Sequence, residues 1–227
     1  MKKITNHTQI SKALDISPFQ NLLETKKLDL YSVQKGEFIV HHLAPLENLY
    51  FLLSGKAKIK MTHENGKVSL IDFISAPSYI GELTLLGVED SPKDVIAHTN
   101  GVLLAVPLKE NQTRLLENAS FMHDLAVFLG KKALHRTEAL TESLNLPFST
   151  RLARFILLTE EEGFYFEKHT EVAEYLHVSY RHLLFVLHEF TKEGLLEKAA
   201  RGYKIKNYNG PFKKINALCP QKNRNLA

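Results

Sequence analysis

Between residues 30 and 107 hydrophobic positions alternate with polar ones at the period of two that an extended strand imposes. Lys56-Ala57-Lys58-Ile59-Lys60-Met61 shows this without a slip, which predicts a strand with one wet and one buried face. Glu64-Asn65-Gly66-Lys67 follows, and Asn-Gly between two such runs is a strong hairpin signal because both residues tolerate positive φ. Val68-Ser69-Leu70-Ile71-Asp72-Phe73 is the returning strand. Further short strands are expected at 37–41, 49–53, 95–97 and 102–106, punctuated by Gly36, Gly55, Pro77, Gly81 and Gly101. Short, closely spaced strands point to a small barrel or jelly roll.

From Gln112 to about Asn145 the period lengthens to that of a helix, interrupted only by Gly130. Met122, Leu125 and Leu129 fall at a, d and a spacing, and Leu115 stands one heptad earlier. A helix of about 30 residues is far longer than the usual ~11. Phe121, Phe128 and Leu134 widen its stripe, so one side is expected to pack on the barrel and the other on a second copy of the chain. Leu115, Met122, Leu125 and Leu129 are the expected dimerisation residues, with Lys132 and Arg136 weakening the lower half of the seam. The plainer alternative is a long helix lying on its own domain. Pro147 ends the helix, because proline cannot continue its hydrogen bonding.

The third segment opens at Phe148-Ser149-Thr150, and residues 151–159 are apolar on one face through Leu152, Phe155 and Ile156. Residues 170–187 (TEVAEYLHVSYRHLLFVL) then read as two short helices joined by a tight turn. Val172 and Leu176 lie four apart, and small Ala173 permits close approach of a neighbouring helix. Ser179 is typed to cap the second helix. Leu183, Leu187 and Phe190 form that helix's inward stripe; Arg181, Leu184, Phe185 and His188 form the opposite face. Such a helix-turn-helix places its second member in the major groove, N-terminal end first. There Arg181 could fork onto guanine O6 and N7, and Leu184 or Phe185 could touch a thymine methyl. Ser179, Tyr180 and His182 are better suited to phosphates, which orient without reading sequence, and Thr170 of the first helix is a further candidate DNA contact. After Gly194, Leu195-Leu196-Glu197-Lys198 and Gly202-Tyr203-Lys204-Ile205-Lys206 form a candidate wing that would carry Lys198, Arg201, Lys204 and Lys206 toward the backbone.

Charge sharpens this picture. Residues 1–147 carry 16 basic and 16 acidic side chains, whereas from Lys192 onward the count is 9 against 2. A neutral front with a basic tail suits a polyanionic partner at the C-terminal end. At 44% apolar and 24% charged residues the composition is that of a globular chain. The basic start lacks the apolar run of a signal peptide, and no stretch approaches the ~18 apolar residues of a membrane span. Cys219 is the single cysteine, so neither an internal disulfide nor a thiolate cage is available. A cytoplasmic protein without membrane association is expected.

Strands, long helix and winged helix-turn-helix, in that order and at this length, resemble the Crp/Fnr family of bacterial transcription regulators. The likeness runs from about Asp29 to near the end, and residues 68–83 (VSLIDFISAPSYIGEL) and 167–187 (EKHTEVAEYLHVSYRHLLFVL) resemble its YeiL subgroup. The resemblance implies an α+β chain: an N-terminal cyclic-nucleotide-binding-like β-roll with leading helices (1–111), a dimerisation helix (112–146) and a winged helix-turn-helix DNA-binding domain (147–227). It further implies a homodimer on a two-fold promoter site, acting as an activator in contact with RNA polymerase, with any effector unknown.

Departures from the family pattern matter as much. Nucleotide-sensing relatives follow a Gly-Glu-Leu turn with an Arg-Ser/Thr-Ala that clamps the cyclic phosphate. Here Gly81-Glu82-Leu83 is followed by Ser91-Pro92-Lys93-Asp94-Val95. Lys93 is a point charge where a fork is needed, and Asp94 repels phosphate. Gly81, Glu82 and Lys93 therefore mark the candidate effector pocket, but cyclic nucleotide binding is not expected, with Gly81 and Glu82 kept for the turn. No N-terminal cysteines are present to hold a cluster. Arg181 and Phe185 stand where the family commonly has Glu and Arg, so a different DNA site is expected. His177 occupies the turn position that is usually glycine.

Eleven histidines raise the question of metal. His41 and His42 would point to opposite faces of a strand, and His182 and His188 are six apart, outside helical ligand spacing. No metal site, cofactor or catalytic constellation is therefore expected, and the chain reads as a non-enzyme. The alternative function is a small-molecule-binding barrel module whose C-terminal helices serve protein contacts.

Overall fold

A computed structural model describes residues 1–89 and 91–207. The chain divides into two compact units, one spanning Met1–Lys132 and one beginning at Ala133.

The first unit opens with β1 (Lys2–Ile4), α1 (His7–Asp15), β2 (Asp29–Val33) and β3 (Phe38–Val40). It continues through β4 (Asn48–Ser54), β5 (Lys56–Thr62), β6 (Val68–Ser75), β7 (Ser78–Ile80) and the single-turn α2 (Glu82–Leu85). β8 (Asp94–Ala97), β9 (Gly101–Pro107) and α3 (Leu108–Leu116) complete the roll. The strands form two antiparallel sheets, ordered β1-β2-β9-β4-β7 and β3-β8-β5-β6.

Burial explains the two kinds of strand. Leu49-Tyr50-Phe51-Leu52 and Leu103-Leu104-Ala105-Val106 do not alternate because β4 and β9 are covered on both faces. Leu49, Phe51, Leu104 and Val106 pack with Phe19, Leu115 and Phe121 on the helical side. Tyr50, Leu52, Leu103 and Ala105 meet Ile59, Ile74 and Val95 of the other sheet. β5 lies in that second sheet with Ala57 and Ile59 buried. The expected buried face stops there: Met61 is exposed, because the β5–β6 pairing shifts register between Ile59 and Lys60 and breaks the alternation. The Asn65-Gly66 turn closes this pair, Gly66 at φ +76° and the His63 amide donating to the Lys67 carbonyl at 2.8 Å. β1 and β7, three residues each, are too short to carry a period and were not legible.

The single helix expected from Gln112 is two helices. α3 ends at Leu116, and α4 (Ala119–Asn145, 27 residues) begins after Asn118, whose Oδ1 accepts the Phe121 amide at 2.8 Å. That side-chain cap restarts the helix without any proline or glycine to announce it. α4 carries the chain into the second unit: α5 (Phe148–Thr159), β10 (Phe164–Tyr165), α6 (His169–Tyr175), α7 (Tyr180–Lys192), β11 (Leu196–Lys198) and β12 (Tyr203–Ile205). Here Pro147 occupies the N-cap position of α5, just past the end of α4. Among the described residues no helix is long and apolar enough to cross a membrane.

Candidate nucleic-acid interface

The second unit is organised around a small core of Leu152, Phe155, Ile156, Tyr165, Val172, Ala173, Leu183, Val186, Leu187 and Phe190, all buried. The expected inward stripe of α7 is present, widened by Val186. Burial raises the Tyr165 hydroxyl pKa well above that of a free phenol.

The turn between α6 and α7 is a Schellman closure. The Val178 amide donates to the Ala173 carbonyl at 2.9 Å and the His177 amide to the Glu174 carbonyl at 3.1 Å. This requires a left-handed residue, and His177 supplies it at φ 53°. The same closure ends α7, where Gly194 sits at φ +70° and the Leu195 amide reaches the Phe190 carbonyl at 2.9 Å. Arg151 of α5 adds a latch that the sequence reading missed: its Nη1 donates to the Leu176 carbonyl at 2.9 Å.

With the turn held, Ser179 caps α7 as its type indicated, its Oγ accepting the His182 amide at 3.2 Å. The first turn of α7 contains no acidic residue, so its positive dipole end is left open to an anion. Tyr180, Arg181, His182, Leu184, Phe185 and His188 are all exposed, Phe185 by 59%. Arg181 makes no ion pair among the described residues. The His182 ring lies 4.9 Å from Phe148 and is stacked 6.5 Å from Phe185. Thr170 is exposed in the first turn of α6.

The wing is a three-stranded sheet, β10-β12-β11, rather than a simple hairpin. The two-residue β10 pairs Phe164 with Lys204 and Tyr165 with Tyr203. Gly202 is needed at the wing's close approach, because a Cβ there would collide with the Tyr165 carbonyl. Lys198, Arg201, Lys204 and Lys206 are exposed on this sheet or its loop. Lys204 Nζ lies over the Phe164 ring at 5.8 Å, and Lys206 pairs with Glu197 at 3.2 Å. Lys213, Lys214, Cys219, Lys222 and Arg224 lie outside the described residues.

Comparison with known proteins agrees with this geometry. Residues 30–118 match the cyclic nucleotide-binding domain family. Over 178 residues the chain is 45% identical to the regulatory protein YeiL of Escherichia coli, covering 78% of this chain and 81% of that one. The chain belongs to the Crp/Fnr family of transcription regulators. Its fold is also that of a Crp/Fnr regulator from Eubacterium rectale, at TM-score 0.70 and 16% identity over 89% of this chain and 97% of that one. A CRP-family regulator from Thermus thermophilus gives 0.63 and 16%, over 82% and 95%.

Two other regions of this Crp/Fnr chain hold expected site residues, several of them already engaged within the single chain. Of the expected dimerisation residues, Leu115 belongs to α3, and both it and Leu125 are buried in the first unit's own core; Met122 and Leu129 pack against that core. Two of these positions are thus buried within one chain and two are half-buried. The stripe left bare on α4 is Val127, Gly130, Leu134, Thr137, Thr141 and Leu144, spaced three and four apart, with Leu140 beside it. Leu134, Leu140 and Leu144 are 60%, 64% and 79% exposed. Lys132, expected in the seam, instead pairs with Glu82.

In the candidate effector region Gly81 caps α2 in the left-handed conformation at φ +93°, where a Cβ would also strike Leu46. Glu82 opens α2 and is buried, with its Oε1 2.7 Å from Lys132 Nζ. Lys93 is held by Glu89 at 2.8 Å. The expectation that His41 and His42 diverge also fails. β3 stops at Val40, so neither histidine is in a strand, and their rings stack 5.1 Å apart beside Asp94.

Proposed function

We propose that this Crp/Fnr regulator acts as a homodimer that reads a two-fold promoter site by inserting α7 of each chain into successive major grooves. The observation that carries the reading is the exposed face of α7, where unpaired Arg181 stands beside Leu184, Phe185 and His188 at a capped helix N-terminus. An arginine fork with apolar neighbours matches guanine beside thymine. Tyr180, Ser179, His182 and Thr170, together with Lys198, Arg201 and Lys204 of the wing, contact phosphates. The dimer forms through the bare stripe of α4, whose alternating spacing of three and four is that of a two-stranded coil. Activation through RNA polymerase is the role that the family resemblance implies.

We infer also that cyclic nucleotide is not the effector. The buried Glu82 carboxylate already has Lys132 as its partner, and Lys93 is committed to Glu89. Selection of sites from random duplex DNA, followed by titration across salt, tests the central reading. A palindromic consensus with steeply salt-dependent affinity is expected. Retention that ignores both sequence and salt would favour the alternative, in which Leu184 and Phe185 contact protein.

A further inference from the structure

We propose that the first unit carries a site for one divalent first-row transition ion, formed by His41, His42 and Asp94 at the joined ends of β3 and β8. Donor atoms from these three side chains lie within 4.8 Å of one another. The site is independent of the DNA reading, since its three residues all belong to the first unit.

Local backbone geometry creates the cluster. β3 pairs with β8 through Phe38–Ile96 and then Val40–Val95, a register shift that spends two residues of β3 against one of β8. Such an irregularity turns the strand, and the two residues that follow Val40 bring their rings together. The His42 amide donates to Asp94 Oδ1 at 2.9 Å, while its ring Nδ1 lies 3.0 Å from both carboxylate oxygens. His41 stacks on His42 with the planes 16° apart, and its Nδ1 is 3.8 Å from Asp94 Oδ1. The Leu43 amide donates to that same Nδ1 at 3.2 Å, so this nitrogen is unprotonated, and an ion bound there replaces the amide on its one lone pair.

The spacing suits a small ion. A tetrahedral ion with bonds of about 2.0–2.1 Å holds its ligands about 3.4 Å apart. The nitrogen-to-carboxylate separations of 3.0 and 3.8 Å bracket that value, and the near-parallel rings must turn for both nitrogens to face one ion. Two imidazoles and one carboxylate leave a coordination position for water, and an open cleft of about 370 Å³ lined by Phe38, His41, Glu47 and Tyr50 lies alongside. Two imidazole ligands favour an ion that bonds to nitrogen over a hard cation. Binding ties the end of β3 to the start of β8.

The test is calorimetric titration of the full-length, tag-free, chelator-treated chain with Zn²⁺, repeated with Co²⁺ for its ligand-field absorption. One equivalent per chain is expected, with a rise in the melting temperature. His41→Ala and His42→Ala should each weaken it at least about tenfold, since ligand loss exceeds the effect of losing a second-sphere partner. His123→Ala, an exposed control on α4, should leave it unchanged. His41→Ala is decisive, because its side chain is 43% exposed and its removal leaves the His42–Asp94 contact in place. Absence of saturable binding, or one equivalent undisturbed by His41→Ala in a chain that melts as the parent does without metal, overturns the proposal.

Discussion

The carboxylate of Glu82 and the ammonium of Lys132, fifty residues apart in sequence, meet at 2.7 Å with only 5% and 17% of their side chains exposed. The pair joins α2 to α4 inside the first unit, and the Lys132 ammonium also lies 5.6 Å from the centre of the Phe128 ring. Lys132→Ala strands a buried carboxylate, and stability should fall by the lower end of about 3–5 kcal/mol because Lys132 retains some solvent. The double variant Lys132→Ala with Glu82→Gln should recover part of that loss. Urea unfolding of the three chains checks it; equal stability for parent and single variant would show that solvent already screens the pair.

The bare stripe of α4 gives a second expectation. Leu134→Glu should leave the chain's secondary structure intact, since Leu134 is exposed in the single chain, but weaken self-association by more than about 100-fold, the effect of an unpaired charge in an apolar seam. Leu125→Ala should do the reverse, costing about 2–5 kcal/mol of fold stability through a core cavity while leaving the stripe unchanged. Sedimentation and thermal unfolding of both chains separate the two effects. A Leu134→Glu chain that still associates at parental concentration would remove the stripe from consideration.

The contrast between those two leucines also shows where sequence reading stops. Ser179 and the α7 stripe were legible because capping and the inward period are local, and His177 was flagged only because the family resemblance puts glycine there. Which stripe of α4 the single chain leaves bare was not legible, for a physical reason. A period of three and four appears whether a helix packs on its own domain or on a twin, and the cap at Asn118 that separates α3 from α4 carries no helix-breaking residue. His41 and His42 were misjudged because alternation holds only while a strand lasts, and the register shift after Phe38 depends on pairing with distant β8. Arg151 was missed because its partner is a carbonyl twenty-five residues away, which no spacing rule encodes.

On DNA the two cationic groups should separate by kind. Arg181→Ala should cost about 1–3 kcal/mol and relax preference at one base position, since it removes a fork onto a base edge. Lys204→Ala should weaken binding to all sequences nearly equally and lower the salt slope by about one. Affinities measured across a panel of single-base variants at several salt concentrations distinguish these outcomes. A Lys204→Ala loss confined to the consensus would move the wing off the phosphate backbone.

Mild acid should act on the start of α6. Burial lowers the His169 pKa below the 6.5 of a free imidazole, and the ring lies 6.3 Å from Tyr165 and 6.0 Å from Tyr203, on the wing side of the helix-turn-helix. The unfolded chain therefore takes up this proton before the folded one does. The sign follows from linkage: His169 subtracts nothing from stability well above pH 6.5, begins to subtract as pH falls through 6.5, and its penalty levels off below the lowered folded value. His169→Gln should flatten that part of the profile, whatever its effect on stability at pH 8. Urea midpoints of parent and variant between pH 8 and 5 measure the difference, and parallel profiles would show that this ring titrates alike in both states.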